Sequence, residues 1–439
     1  MQKIATLLFW SVISAAFIGP GTVTTAASAG TKYQFSLMWA LSFSTIACLV
    51  LQEASARLTI VSGKNLGQAI RMQFSEGISG VAILIVVVGA IIIGCAAYEA
   101  GNILGGVAGA ALATGWPGDA LTLFCGLSAG LLLWFGSTQL VAKILGGVVA
   151  LMGLAFLITA FLVSPSLPAI FKGGLVPSFP PASGLLIMGL IGTTVVPYNI
   201  FLGSGIAIAS KSLKEMRFGL GIAVLFGGII SMAVLVVGTA IAGEFSFAAL
   251  SEALQQNLGK GADLLFAFGL FAAGFSSAIT APLAAAITAQ SLFARKDVSQ
   301  WQPNSWRYRS VWLGVLLTGI LFGLTGVQPV PAIILAQALN GILLPLIAVF
   351  LFIVINHPGL VGKPGRNGFF ANAVMTAVVF ISVLLGVANI LKAGGAAFGY
   401  SLPSEQSMLI IAAICAAVIF IPVLNIVKRN RSAGDMRMN

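Results

Sequence analysis

An apolar run from Ile4 to Ile18 meets the tetrapeptide Gly19-Pro20-Gly21-Thr22, and this junction restricts the fold more than any other stretch of the chain. At roughly 1.5 Å per residue the run crosses about half a bilayer or more as a helix. Pro20 then removes an amide donor and clashes with the preceding turn, and the two glycines lack the side chains that hold helical torsions. A helix break is predicted there. In hydrocarbon the freed carbonyls and amides must find partners within the protein, and a bound solute is one such partner. A second interrupted apolar segment, Gly189 to Gly205, stands half a chain away and contains Thr193-Thr194-Val195-Val196-Pro197-Tyr198-Asn199. Two Gly/Pro-broken segments at corresponding places in two halves point to a secondary transporter that holds its solute between the breaks. The candidate substrate-binding residues are therefore Gly19, Gly21 and Thr22 at the first break and Thr193, Val196, Tyr198 and Asn199 at the second.

Composition sets the medium. With 59% hydrophobic residues, 8% charged residues and a mean hydropathy of +1.06, the chain reads as an all-α polytopic membrane protein. No stretch of the 439 residues is long or polar enough for a soluble domain, so one transmembrane domain is expected. About twelve spans are read, the first near 4 to 30 and the last near 406 to 427. Met1-Gln2-Lys3 and the later Ala27-Ser28-Ala29 imitate a secretory signal, but the Gly-Pro-Gly break falls where a signal needs a continuous apolar core. The four cysteines lie in apolar runs without metal-ligand spacing and read as small core residues.

The formal charge of +11 does not indicate nucleic acid, because its placement follows the spans. Of the 22 Lys and Arg residues, only Lys32, Lys172, Lys260 and Lys392 fall in loops on the side opposite the N-terminus. Loop Lys/Arg bias sets topology, so both termini are expected to be cytoplasmic in a multi-pass protein of the cell (inner) membrane. The expected partners are the lipid bilayer, a transported small solute or ion, and protons; no cofactor is expected.

Charge inside the spans is scarce. Of eleven acidic residues, only Glu53 and Glu99 fall within spans, and Glu99 sits nearest mid-membrane. An ionisable residue at that depth marks a functional position by default, the alternative being a buried structural partner. Asn102 shares its helical face. Glu53 and Arg57, four apart, suit a mutual ion pair near the cytoplasmic end. Gly101, Gly105, Gly106 and Gly109 suit close helix packing. Further on, Gln337 and Asn340 lie three apart on one face, where they serve either as amide ligands or as bonds to neighbouring helices. Ser164 to Ser183 and Gly243 to Gly261 read as exterior loops, and the last two spans look peripheral to any site.

The residues of these spans resemble the Nramp (natural resistance-associated macrophage protein) divalent metal transporters over about the first ten spans. The most specific stretches are Gly19-Pro-Gly-Thr-Val-Thr-Thr, Tyr33-Gln-Phe-Ser-Leu-Met-Trp39, Ser62-Gly-Lys-Asn-Leu66, Val195-Val-Pro-Tyr-Asn-Ile-Phe-Leu202 and Ala336-Gln-Ala-Leu with Leu344-Pro345. The resemblance implies a leucine-transporter-type fold of two inverted five-helix repeats, 1–163 and 185–356, with two additional spans in 369–427. It also implies proton-coupled metal uptake between the broken helices, with Glu99, Asn102 and Arg309 in the region of the proton route.

The departures fall on the ligands. Where the family reads Asp-Pro-Gly-Asn this chain has Gly19-Pro20-Gly21-Thr22, and where it reads Met-Pro-His this chain has Val196-Pro197-Tyr198. Thr193 keeps a main-chain carbonyl at the family's carbonyl-ligand position. Carboxylate, thioether and imidazole are lost, so manganese or iron is not favoured. Two substrate classes remain open. One is an oxygen-preferring cation such as magnesium, for which Thr22, Thr193 and Glu99 are the metal-binding candidates. The other is a small polar organic solute or anion at the positive end of the helix after Gly21. An enzyme is not expected. Gly203-Ser204-Gly205 has no partner base, and the one histidine, His357, lies in a cytoplasmic loop. Nor is a repeated ring of channel ligands visible.

Overall fold

The computed structural model describes residues 18–74, 77–135, 138–207, 212–294, 298–398 and 405–436, and every regular element among them is helical. The first segment gives α1 (Pro20–Tyr33), a 3-10 turn (Gln34–Leu37), α2 (Met38–Ser62) and the short α3 (Leu66–Phe74). Then follow α4 (Gly77–Thr114), α5 (Gly118–Phe135), α6 (Thr138–Leu162) and α7 (Leu167–Leu175). The second half opens with α8 (Gly184–Thr194) and α9 (Pro197–Ala207), continues through α10 (Leu213–Gly238), α11 (Phe247–Leu258) and α12 (Ala262–Phe293), and closes with α13 (Trp306–Leu324) and α14 (Pro329–Ile355). Beyond it lie α15 (Pro358–Gly365), α16 (Phe369–Phe398) and α17 (Glu405–Met436).

Nine helical stretches among the described residues are long and apolar enough to cross a membrane. The sequence reading of about twelve differs for local reasons. The stretch Pro20–Ser62 holds two helices around the 3-10 turn, Gly146–Leu162 is a shorter apolar helix, and α13 begins with the polar run Arg307-Tyr308-Arg309. The run before Ile18, expected to be the first half-helix, lies outside the described residues. Two segments read as loops contain helices. In α11 a polar face hides the pattern: Leu250 and Leu254 are buried while Ser246 caps the N-terminus, its Oγ accepting from the Ala249 amide at 3.1 Å.

Small residues decide how closely the spans approach. Without a hydrophobic drive inside lipid, helices associate through packing, and glycine lets backbones come near. On α4, Gly106 faces Gly274 of α12, and Gly109 lies over the backbone of Ala267 and Phe271. Gly105 of the same helix receives the Pro20 ring, which fixes the start of α1 against α4. Gly192 on α8 lies under the backbone of α14 at Gln337 and Gly341. Gly238 on α10 lies against Ala27 of α1, so that the second half of the first broken span is held between α4 and α10.

Polar seams add orientation. Ser55 Oγ of α2 donates to the Ile200 carbonyl of α9 at 2.9 Å, and Thr59 Oγ1 lies 2.6 Å from Ser204 Oγ, which also accepts from the Leu66 amide at 2.7 Å. Ser204 is thus a helix tie. At the same end of α2, Arg57 Nε bonds Glu53 Oε1 at 3.0 Å, as its spacing suggested. The network is wider than that pair: Arg217 of α10 also bonds Glu53 at 2.9 Å, and Arg57 reaches the Gly365 carbonyl and Asn367. Arg431 of α17 joins the same loop through Asn356 at 3.2 Å and the Asn367 carbonyl at 2.9 Å.

Candidate functional site

At both predicted breaks a residue leaves helical geometry, and the run before the first of them lies outside the described residues. Gly19 is extended at φ −100° and ψ 176° and serves as N-cap of α1, with Pro20 in the first turn, where a proline without an amide is tolerated. In the second broken span, α8 ends at Thr194, Val195 turns out of the helix at φ −106° and ψ 79°, and α9 begins at Pro197. The breaks meet. Thr22 Oγ1 lies 2.9 Å from Thr193 Oγ1, a contact between residues 171 apart in the chain, and both side chains are fully buried.

Around that contact the structure gathers polar groups from four helices. Gln337 of α14 reaches the first turn of α1, where a Cβ on Gly21 would stand 2.5 Å from its Cδ. Its Nε2 and Oε1 are buried and have no hydrogen-bond partner among the described residues. From α4, Tyr98 brings its hydroxyl to 3.6 Å from the Cβ position of Gly19, and Ser277 Oγ of α12 stands equally near. Tyr98 and Tyr198 meet edge to face with ring centroids 5.4 Å apart, both fully or almost fully buried. Asn199 on the first turn of α9 is buried with neither amide atom partnered among the described residues, and Val196 is buried at the break itself. Tyr98 and Ser277 escaped the sequence reading. Neither carries a motif, and only the tertiary arrangement sets them beside Gly19.

The donor set is oxygen and amide nitrogen, without charge. Among the described residues no group of three or more His, Cys, Asp or Glu is close enough to hold a metal ion. The buried acid of α4, Glu99, stands next to Tyr98 in sequence but points elsewhere: Asn102 Nδ2 donates to its Oε2 at 3.3 Å, and its Cγ packs against Gly319 of α13.

A family model described as natural resistance-associated macrophage protein-like matches residues 11–392, most of the chain. The chain belongs to the Nramp family. Among its relatives are the divalent metal cation transporter MntH of Verminephrobacter eiseniae, 27% identical with 76% of this chain and 77% of the relative covered, and that of Bacillus subtilis, 28% identical with 78% and 82% covered. Among solved structures, the Eremococcus coleocola manganese transporter bound to an aromatic bis-isothiourea compound superposes with a TM-score of 0.72 at 18% identity, covering 100% of this chain and 96% of that one. Mhp1, a nucleobase-cation-symport-1 family transporter, gives 0.59 at 16% identity, with 97% and 96% covered. The architecture is the leucine-transporter type that the resemblance implied.

In this Nramp chain, Thr22, Thr193, Tyr198 and Gln337 gather around the breaks, while Asn102 stays with Glu99 on α4. Arg309 does not come to Glu99. Its guanidinium lies 3.9 Å from the Trp134 ring centroid and donates to Asn304 at 3.3 Å. On α13 it precedes Gly319, the residue that touches Glu99, by ten positions, or about 15 Å of helix.

Proposed function

We propose that this protein is a secondary transporter that works by alternating access and holds its substrate between the two helix breaks. The observation that carries the reading is the Thr22–Thr193 contact at 2.9 Å, which joins the first turn of α1 to the last turn of α8, each beside its non-helical residue, Gly19 and Val195. Broken helices at such a point present backbone donors on one side and carbonyls on the other. The halves that move against each other are 1–163 and 185–356, with 369–427 as additional spans, and the bilayer is the inner membrane with both termini cytoplasmic. Glu99 and Asn102 belong to the coupling path, which the family resemblance assigns to protons.

The relatives are named for divalent metals and manganese. Descent favours a cation here too, with Thr22 and Thr193 as hard oxygen ligands; Glu99, expected from the sequence as a third, is held by Asn102 against Gly319 instead. The site disfavours manganese and iron, since Gly19 supplies no charge and Val196 no sulfur. A second reading, a small polar organic solute or anion, rests on a separate observation: the first turn of α1 contains no acidic residue and no side-chain cap. Uptake into proteoliposomes under imposed proton and sodium gradients tests the class. Gradient-driven accumulation that is lost in Thr22→Val and Thr193→Val is expected; passive equilibration in all three proteins would sink it.

A further inference from the structure

Three observations converge on the start of α1. Pro20 has no amide hydrogen, Gly19 caps the helix without a side-chain bond, and the first turn has no acid, so the helix end keeps its positive character. Gln337, fully buried, carries Nε2 against Gly21, and neither of its polar atoms has a partner among the described residues. Tyr98, also fully buried, brings its hydroxyl within 3.6 Å of the Cβ position of Gly19, with Thr193 and Tyr198 as neighbours, and no partner among the described residues meets hydrogen-bond geometry. An amide and a phenol left unbonded in a dry core carry a desolvation penalty that an acceptor between them removes.

From this convergence we propose that the substrate is a small carboxylate-bearing solute, whose carboxylate sits at the α1 N-terminus and accepts from the first-turn backbone, Gln337 Nε2 and Tyr98 Oη. The inference rests on the reading of the two breaks as the substrate site, and specifically on its organic-solute form. The chemistry distinguishes the two substrate classes. Every group that this end of α1 offers by dipole is a donor, whereas a dication needs acceptors and an anionic neighbour to offset its dehydration. The one acid near this part of α4, Glu99, packs its Cγ against Gly319 and takes a bond from Asn102 at Oε2.

Thermal stabilisation of the purified full chain in detergent tests the assignment. Acetate, lactate and alanine are compared with acetamide, lactamide and alaninamide, and with magnesium and manganese chloride, at millimolar concentration. Stabilisation by carboxylates but not by their amides is expected. Tyr98→Phe should weaken it about tenfold, the loss of one hydrogen bond to a charged acceptor. Gln337→Glu, nearly isosteric, should abolish it and let magnesium stabilise instead. Melting of each variant without ligand shows whether it folds. Carboxylates that act equally on wild type and both variants overturn the assignment, and so does a panel in which no carboxylate stabilises. Stabilisation by the cations alone, lost in Thr22→Val, overturns the carboxylate but leaves the break site standing. Loss of any Thr22 and Thr193 dependence, whatever the ligand, overturns the break site itself.

Discussion

At the scale of single residues, Glu99 is the sharpest case. Its side chain is wholly buried, Oε2 takes one weak bond from Asn102, Oε1 has no partner among the described residues, and no Lys or Arg there forms an ion pair with it. A structural carboxylate would have a basic neighbour, and removing its charge would cost about 3 to 5 kcal/mol by leaving that neighbour unpaired. No such neighbour faces it among the described residues. Glu99→Gln keeps shape and loses charge, so proton-driven uptake should disappear while the melting temperature in detergent stays near that of the parent. Uptake and melting measured on the same preparation check this. Retained uptake with a lowered melting temperature would assign Glu99 to structure. Sequence alone marked Glu99 by its depth and its rarity among apolar residues, but its orientation depends on Gly319, which lies 220 positions further along the chain.

At the scale of elements, the breaks were legible and their surroundings were not. Pro20 and Pro197 each begin a helix, where a missing amide is tolerated, and the neighbouring glycines and threonines set them apart from Pro282, Pro345 and Pro422, which lie inside helices. The seat of α8 on α14 needs tertiary information. A Cβ on Gly192 would stand 2.6 Å from the Gly341 amide and closer still to the Gln337 carbonyl, both rigid backbone. Gly192→Ala should therefore push α14 outward, lower stability by about 1 to 3 kcal/mol and displace Gln337 from Gly21. Gly221→Ala is the control on α10. Nothing stands within 4 Å of its Cβ position, so the helix should gain up to about 1 kcal/mol from propensity. Paired melting curves distinguish the two, and equal effects would show that the α8–α14 contact is looser than described.

At the scale of the whole molecule, the fold stands with no acidic residue in the first turn of α1. Superposition on a manganese transporter at a TM-score of 0.72 with 18% identity shows how little of the architecture depends on particular side chains. Apolar period and length, small residues at crossings and two breaks are enough for it. The site follows different rules, because ion selection depends on the chemistry of a few atoms. Calorimetry with manganese should accordingly give no saturable binding in the micromolar range. Saturable binding that vanishes in Thr22→Val would show that neutral oxygens suffice here.

The sequence by itself determined the membrane class, the two interruptions and the chemistry missing from them. Each is local: hydropathy is a property of a run, a break is a property of a proline and its neighbours, and the absence of an acid beside Pro20 is visible at its own position. The fold decided which distant groups share the space around Gly19. Gln337, Tyr98 and Ser277 arrive there from three helices, set by glycine contacts such as Gly192 on α14, Gly106 on Gly274 and Gly105 on Pro20. Arg309 lies over the Trp134 ring, about 15 Å of helix from the residue that touches Glu99. Side-chain convergence depends on helix crossing and rotation, which many residues set jointly, and no pattern along the chain encodes it one position at a time.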